Sequence, residues 1–363
     1  MISSDTLDKA LIHNARDGNH DKVRDLLRNG ADVNTRDIFG ETALIRAACN
    51  GCLDVVRELL KNEKLDVNAA DDVGDTALVI AVREGHVYVV AELLKNVYVD
   101  VNVVSKCVEA SRRLETTAAR PEVAPKRSEE DDTDSDDDWY GGGYGYGCGY
   151  ASEEDGYASE DYDGVSSLIV AVCEGHLEVV IELLKRDDVD VNVKVKGANT
   201  ALGLACIMGR SDVVRELLRH KKLDVNAKDR YGKTALHLAS IRDKANVVRE
   251  LLQDKRLDAN AKDRLGKTAL HLASIQDKAN VVRELLKHKQ VNVNAQNIDK
   301  KTSLDMAIAA RHRIVVRELL KHKKVEINFQ TLIMACTEST SGDVCVNIVR
   351  ALLAHDNVCE WQG

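Results

Sequence analysis

The chain has 363 residues, of which 44% are hydrophobic and only 4% aromatic, with two prolines, nine cysteines and a formal net charge of −9. That acidic balance argues against a dedicated nucleic-acid binder, and no run of about 18 apolar residues is available for a membrane span. Met1-Ile-Ser-Ser-Asp-Thr lacks the charged and apolar regions of a signal peptide, so an intracellular protein is expected, cytoplasmic first and nuclear second. With so few aromatics, any core must be built from Leu, Val, Ile and Ala packed between short helices.

In chain order, residues 1–105 hold three units. The first, 3–34, opens on a helix carrying Asp5, Asp8, Lys9, His13, Asn14 and Arg16, more polar than later copies, as an end cap should be. The units close at Asn34, Asn68 and Asn102, and there the pattern breaks. Residues 106–162 hold both prolines (Pro121, Pro125), an acidic run from Glu129 to Asp138 and a Gly/Tyr-rich stretch from Trp139 to Tyr150. Acid and Gly in this proportion cannot bury enough surface to offset chain entropy, so a disordered insert is expected. Ser128, Thr133, Ser135 and Ser152 each have an acidic residue three positions later (Asp131, Asp136, Asp138, Asp155), the pattern acidophilic kinases read, and are candidate phosphorylation sites. Ser159, with Tyr162 there, is weaker.

Residues 163–363 resume the repeat, most clearly from Asp229-Arg-Tyr-Gly-Lys-Thr-Ala-Leu-His-Leu-Ala through Val247-Val-Arg-Glu-Leu-Leu252 to Leu257-Asp-Ala-Asn260. Asp first and Gly fourth suit a type I turn, Thr234 stands where a helix wants a hydroxyl cap, and two apolar stripes follow. Each unit therefore reads turn, helix, turn, helix, loop, with helices too short to be stable unless a neighbouring copy covers them. Residues 264–297 match 230–263 at 24 of 34 positions. The closing asparagines recur every 34 residues except for one gap of 90, and Thr42, Thr76, Ser166, Thr200, Thr234, Thr268 and Thr302 keep the same period and the same jump. From Asn68 to Gly74 is six residues but from Asn102 to Gly164 is 62, so the insert stands in for one hairpin tip. After Asn328 there is no room for another hairpin, and helices near 331–337 and 344–354 would close the stack.

A period in the thirties with two helices per unit means a solenoid. These residues resemble the ankyrin repeat over all of the chain except the insert. The fold expected is all-α: an ankyrin-repeat solenoid of about nine helix–turn–helix units with short hairpin fingers, interrupted by one disordered insert. Departures from the family pattern are Ala for the usual Pro after the Thr, and Asp243, Asp277 and Arg311 for the usual Gly between the helices, which should weaken those turns.

The resemblance implies a non-catalytic module that binds proteins through its fingers and concave groove, without cofactor or metal. In the family the His of the TALHLA motif, here His237 and His271, is structural, and no nucleophile stands at a fixed spacing from either. Cys49-Asn-Gly-Cys52 has redox or metal-ligand spacing but falls on ordinary repeat positions, where later units have Arg83 or Cys173 and His86 or His176. Clusters such as Arg219-His-Lys-Lys222 end second helices, where cations suit the helix terminus, so nucleic acid is not the expected partner. The finger tips vary while the framework does not. Candidate partner-binding residues are Ile38, Phe39, Val73, Arg230, Tyr231, Lys233, Arg264, Leu265, Lys267 and Ile298, apolar, aromatic and cationic side chains of the kind that dominate binding energy. A monomer with a protein partner is expected, acting as scaffold or adaptor. The alternative is a self-regulated module, because residues 1–105 carry 12 basic and 18 acidic side chains, 106–163 carry 6 and 17, and 164–363 carry 33 and 25. On that reading the acidic insert occupies the basic C-terminal groove.

Overall fold

The structure is a computed structural model, described here for residues 4–105, 165–195, 199–327, 331 and 352. Among these residues sixteen helices form eight units. They are α1 (Ser4–Arg16) with α2 (His20–Arg28), α3 (Ala43–Cys49) with α4 (Leu53–Leu59), α5 (Ala77–Arg83) with α6 (Val87–Leu94), and α7 (Ser167–Glu174) with α8 (Leu177–Leu184). Then come α9 (Ala201–Met208) with α10 (Ser211–Arg219), α11 (Ala235–Ile241) with α12 (Ala245–Leu251), α13 (Ala269–Ile275) with α14 (Ala279–Leu286), and α15 (Ser303–Ala309) with α16 (Arg313–Leu320). The closing helices expected beyond 328 and the whole insert lie outside the described residues.

From the second unit on, the first helix of each unit starts where the Thr period places it. Thr42, Thr76 and Thr200 accept from the backbone N–H of Ile45, Val79 and Gly203, which satisfies a donor the helix itself cannot. First helices stack on first helices and second on second, giving two layers. The first layer is almost wholly buried: in α5 every residue from Ala77 to Val82 is inside. The second layer buries only a stripe, Val247, Val248 and Leu251 in α12, and turns charge outward. Between the helices Asp243, Asp277 and Arg311 stand at φ of 55°, 55° and 60°, left-handed backbone that glycine adopts without penalty.

Stacking continues across the insertion. α5 packs on α7 and α6 on α8. The two strands β1 (Val104–Ser105) and β2 (Val165–Ser166) pair antiparallel, Val104 opposite Ser166, in the place that the bridges Arg36 to Thr42 and Ala70 to Thr76 hold in the units before. The long segment therefore departs from, and returns to, the base of one finger.

Three ladders run along the stack. Asn34, Asn68, Asn102, Asn192, Asn226, Asn260 and Asn294 each donate Nδ2–H to a carbonyl of the next unit. Each also accepts, on Oδ1, a backbone N–H two residues further along that unit. These asparagines, which mark the period in the sequence, are inter-unit clamps. In the opening unit Asp8 serves instead, accepting from the Asp32 N–H at 2.8 Å. A second ladder links Cys52, His86, His176, Arg210 and His312, each just before a second helix, to the first helix of the preceding unit: His86 Nε2 meets the Cys49 carbonyl at 2.9 Å and His312 that of Ile275 at 2.7 Å. On the outer layer Arg24, Arg57, Arg215, Arg249 and Arg283 pair with Glu58, Glu92, Glu250, Glu284 and Glu318 of the following unit.

A finger row as the candidate partner-binding site

Five of the fingers are folded by their own first residue. Asp229 Oδ1 accepts the N–H of Tyr231 and of Lys233, both at 2.8 Å, and the Gly232 N–H closes the turn on the Asp229 carbonyl at 3.0 Å. Asp37, Asp71, Asp263 and Asn297 do the same in their fingers. Gly232 has φ of 77°, and a Cβ there would come within 3.0 Å of the Arg264 backbone nitrogen. That closeness exists because adjacent tips are bonded together: Asp72 N–H to Phe39 O at 3.2 Å, Arg264 N–H to Tyr231 O at 3.0 Å, Ile298 N–H to Leu265 O at 3.2 Å. Among the described residues the tips are thus tied in two groups, those of units two and three and those of units six to eight.

On this row the apolar tip residues stay in solvent. Ile38 is 88% exposed, Phe39 60%, Val73 54%, Tyr231 41%, Leu265 40% and Ile298 63%. Arg230 and Arg264 are exposed too, and the Arg230 guanidinium lies 4.9 Å from the centre of the Tyr231 ring. Lys233 and Lys267 are a correction. Expected at the surface with the other tip cations, they are buried to 8% and 7%. The position after the turn glycine points back between finger and first-helix layer, where the Lys stem packs and the ammonium sits near Asp229 and Asp263; burial pulls the Lys233 pKa down against that attraction. A niche of about 30 Å³, lined by Lys233, Asp263, Leu265, Lys267, Ile275 and Gln276 among others, lies beside them and holds about one water, far below a small-molecule site.

The row changes sign along its length. Its first two fingers carry Asp37, Glu41, Asp71, Asp72 and Asp75, and burial pushes the Glu41 carboxyl up. Its last fingers carry Arg230, Arg264, Lys300 and Lys301, with Lys194, Lys228 and Lys262 at the finger bases, each reaching the backbone carbonyl 34 residues on.

His237 and His271 hold fingers rather than substrates. The Thr234 N–H donates to His237 Nδ1 at 3.1 Å, and Nε2 faces the Lys267 carbonyl at 3.0 Å; a carbonyl only accepts, so the neutral ring carries its proton on Nε2. His271 repeats this with Thr268 and Lys301, and burial lowers both pKa values. Cys52 occupies the second ladder, its thiol 3.7 Å from the Arg16 carbonyl, and burial raises the pKa of both Cys49 and Cys52. No group of three or more His, Cys, Asp or Glu able to hold a metal lies among the described residues. No helix among them is long and apolar enough to cross a membrane. The tip formed by Tyr162 and Asp163 and the candidates Ser128, Thr133, Ser135 and Ser152 lie outside the described residues.

A family model of ankyrin repeats, in three copies, matches residues 11–105, 168–263 and 246–331. With most of its length matched, the chain belongs to the ankyrin-repeat family, whose repeats are generally protein–protein interaction modules. Comparison with curated proteins gives no match.

Proposed function

We propose that this protein is a non-catalytic scaffold or adaptor that binds protein partners through its finger row. One observation carries the reading: tips bonded to their neighbours in two groups nevertheless keep Ile38, Phe39, Tyr231, Leu265 and Ile298 exposed. Apolar and aromatic side chains held in place before binding lose little entropy when a partner covers them. Arg230 and Arg264 then favour a partner that brings carboxylates to the last fingers, with Lys233 and Lys267 supporting the row from behind. The test is photocrosslinking in the native cell, with a benzophenone amino acid in place of Tyr231 or Leu265 and, as control, of Arg215 on the outer layer. Adducts to another protein from the tips and not from the control support the reading; adducts from the control alone defeat it.

A second reading has its own observation. β1 and β2 root both ends of the acidic segment in the finger row itself, next to the unit whose base carries Lys194. A tethered chain of about 57 residues has a root-mean-square span of roughly 40 Å, enough to reach fingers two to four units away at about 10 Å per layer. On this reading residues 129–150 cover the basic tips until a partner displaces them. The same crosslinks distinguish the two, since adducts to residues 129–150 of the chain itself belong only to the second.

A further inference from the structure

The repeat supplies its own control for judging the outer layer, because each position can be compared across units. In the loop after the second helix, the pair following the first polar residues is Glu63-Lys64, Asp187-Asp188, Lys221-Lys222, Lys255-Arg256, Lys289-Gln290 and Lys323-Lys324. Unit three alone has Val97-Tyr98, exposed to 76% and 79%. The second position of the second helix is Asp21, Asp54, Glu178, Asp212, Asn246 and Asn280 in other units and Ile314 in unit eight, but the aromatic Tyr88, 78% exposed, in unit three. The Arg–Glu ladder is interrupted at the same place: the arginine position holds Ala91 in α6 and Ile181 in α8, so the rungs run to Arg57 and resume at Arg215. None of this serves the stack, since the units that lack it stack equally well.

The patch is also held in shape. The Tyr98 carbonyl accepts from Asn68 of unit two at 2.7 Å, and its N–H donates to Asn96 at 2.9 Å. From unit four, Arg186 reaches the carbonyls of Leu94 and Asn96 at 3.0 and 3.2 Å. Tyr88 stands in the first turn of α6 and Tyr98 in the loop after it, so the two rings flank the exposed edge of this helix, with Ala91 on the helix and Ile181 at the matching place in α8. Around this edge Glu63, Asp100, Glu178 and Asp187 are exposed and form no ion pair among the described residues. Of the exposed lysines nearby, Lys61, Lys95 and Lys185 are each tied to a glutamate one turn earlier, and Lys64 beside Glu63 leaves the rim acidic by four carboxylates to one ammonium.

We propose that the outer edge of units three and four is a second docking surface, separate from the fingers, for a basic amphipathic segment of a partner protein. Tyr88, Val97 and Tyr98 offer apolar anchors, and the mostly acidic rim, Glu63, Asp100, Glu178 and Asp187, matches Lys or Arg beside the apolar side chains of such a segment. At Ala91 and Ile181 the apolar side chains replace the charged rung that Arg and Glu form elsewhere.

The test uses the full chain and a fluorescent 15-residue probe helix made only of Leu and Lys, with its leucines on one face; the same pattern built from Leu and Glu is the control. The decisive variant, V97E/Y98K, installs the pair of unit two, leaves net charge unchanged and uses side chains the repeat already accommodates; an unaltered melting temperature verifies folding. The expected results are binding of the Leu/Lys probe and not of the Leu/Glu probe, a loss of at least tenfold in V97E/Y98K, and full retention in Tyr231→Ala. Equal binding by wild type and V97E/Y98K, or no binding at 1 mM probe, overturns the proposal. So does a wild-type dimer in sedimentation that V97E/Y98K abolishes, which would assign the patch to a second copy of this chain.

Discussion

Replacing Asn226 by Asp changes one atom of the clamp between units five and six and should cost more than its size suggests. Asn226 donates Nδ2–H to the Arg256 carbonyl at 2.8 Å and accepts the Asp258 N–H at 2.8 Å. A neutral hydrogen bond contributes about 1 kcal/mol net, so Asn226→Ala, which removes both, should cost about 2 kcal/mol. Asn226→Asp keeps the acceptor but points a carboxylate oxygen at a carbonyl oxygen. The lost bond and the new repulsion together should reach about 2–3 kcal/mol at neutral pH. Near pH 3 the new carboxyl is protonated and donates again, so the excess over wild type should fall to about 1 kcal/mol. Because a repeat array is stabilised unit by unit and interface by interface, the loss should be local. Hydrogen exchange at the Asp258 amide reads it directly. Asn226→Asp within 0.5 kcal/mol of wild type at pH 7 (~0.5 being the edge of ordinary surface effects), or a penalty that does not shrink on acidification, would refute the clamp. Asp8, which needs only to accept, shows why a carboxylate suffices at the first unit.

Three further outcomes follow from the same geometry. His237→Ala strands the Thr234 N–H and the Lys267 carbonyl and should cost about 2–3 kcal/mol by urea unfolding. Because burial holds the folded pKa of His237 and His271 below the ordinary value, their contribution is complete above about pH 6.5 and is lost as pH falls through the folded values, visible as a falling melting temperature. Asp243→Gly and Asp277→Gly remove left-handed strain at exposed turns and should each raise stability by about 1 kcal/mol; a loss in both would contradict the turn assignment. Arg249 and Lys287 hold Glu284 at about 2, so Glu284→Gln should cost about 1 kcal/mol at pH 7, discounted for the solvent around Arg249. That difference should persist above about pH 4.5 and vanish as pH falls towards 2.

The fold was legible because repetition multiplies weak local signals. A single Thr before an apolar run is an ordinary hint, but Thr42, Thr76, Thr200, Thr234 and Thr268 in one period fix helix starts, and the structure caps helices at each. The jump from six to 62 residues located the inserted segment at a finger, where Val104 now pairs with Ser166. What stayed hidden depends on contacts between units rather than within them. The exposure of Tyr231 follows from its place at a turn tip, whereas the burial of Lys233 depends on Asp263, Leu272 and Ile275 of the next unit. Likewise Asn226 looks like a bend residue until Arg256 and Asp258 are brought against it, 30 and 32 positions later. The unit-three patch was readable from the aligned repeats as Val97-Tyr98 among charged pairs, but its meaning needed the ladder that Ala91 and Ile181 interrupt.

The most direct measurement of the central claim is quantitative capture of partners from native-cell lysate with three full-length baits. One is wild type, one carries Phe39→Ala, Tyr231→Ala and Leu265→Ala at the tips, and one carries Arg215→Ala and Arg249→Ala on the outer ladder. Binding through the finger row predicts proteins enriched on the wild-type and ladder baits and lost from the tip bait, with melting temperatures of tip bait and wild type alike. The same proteins recovered equally on all three would contradict it.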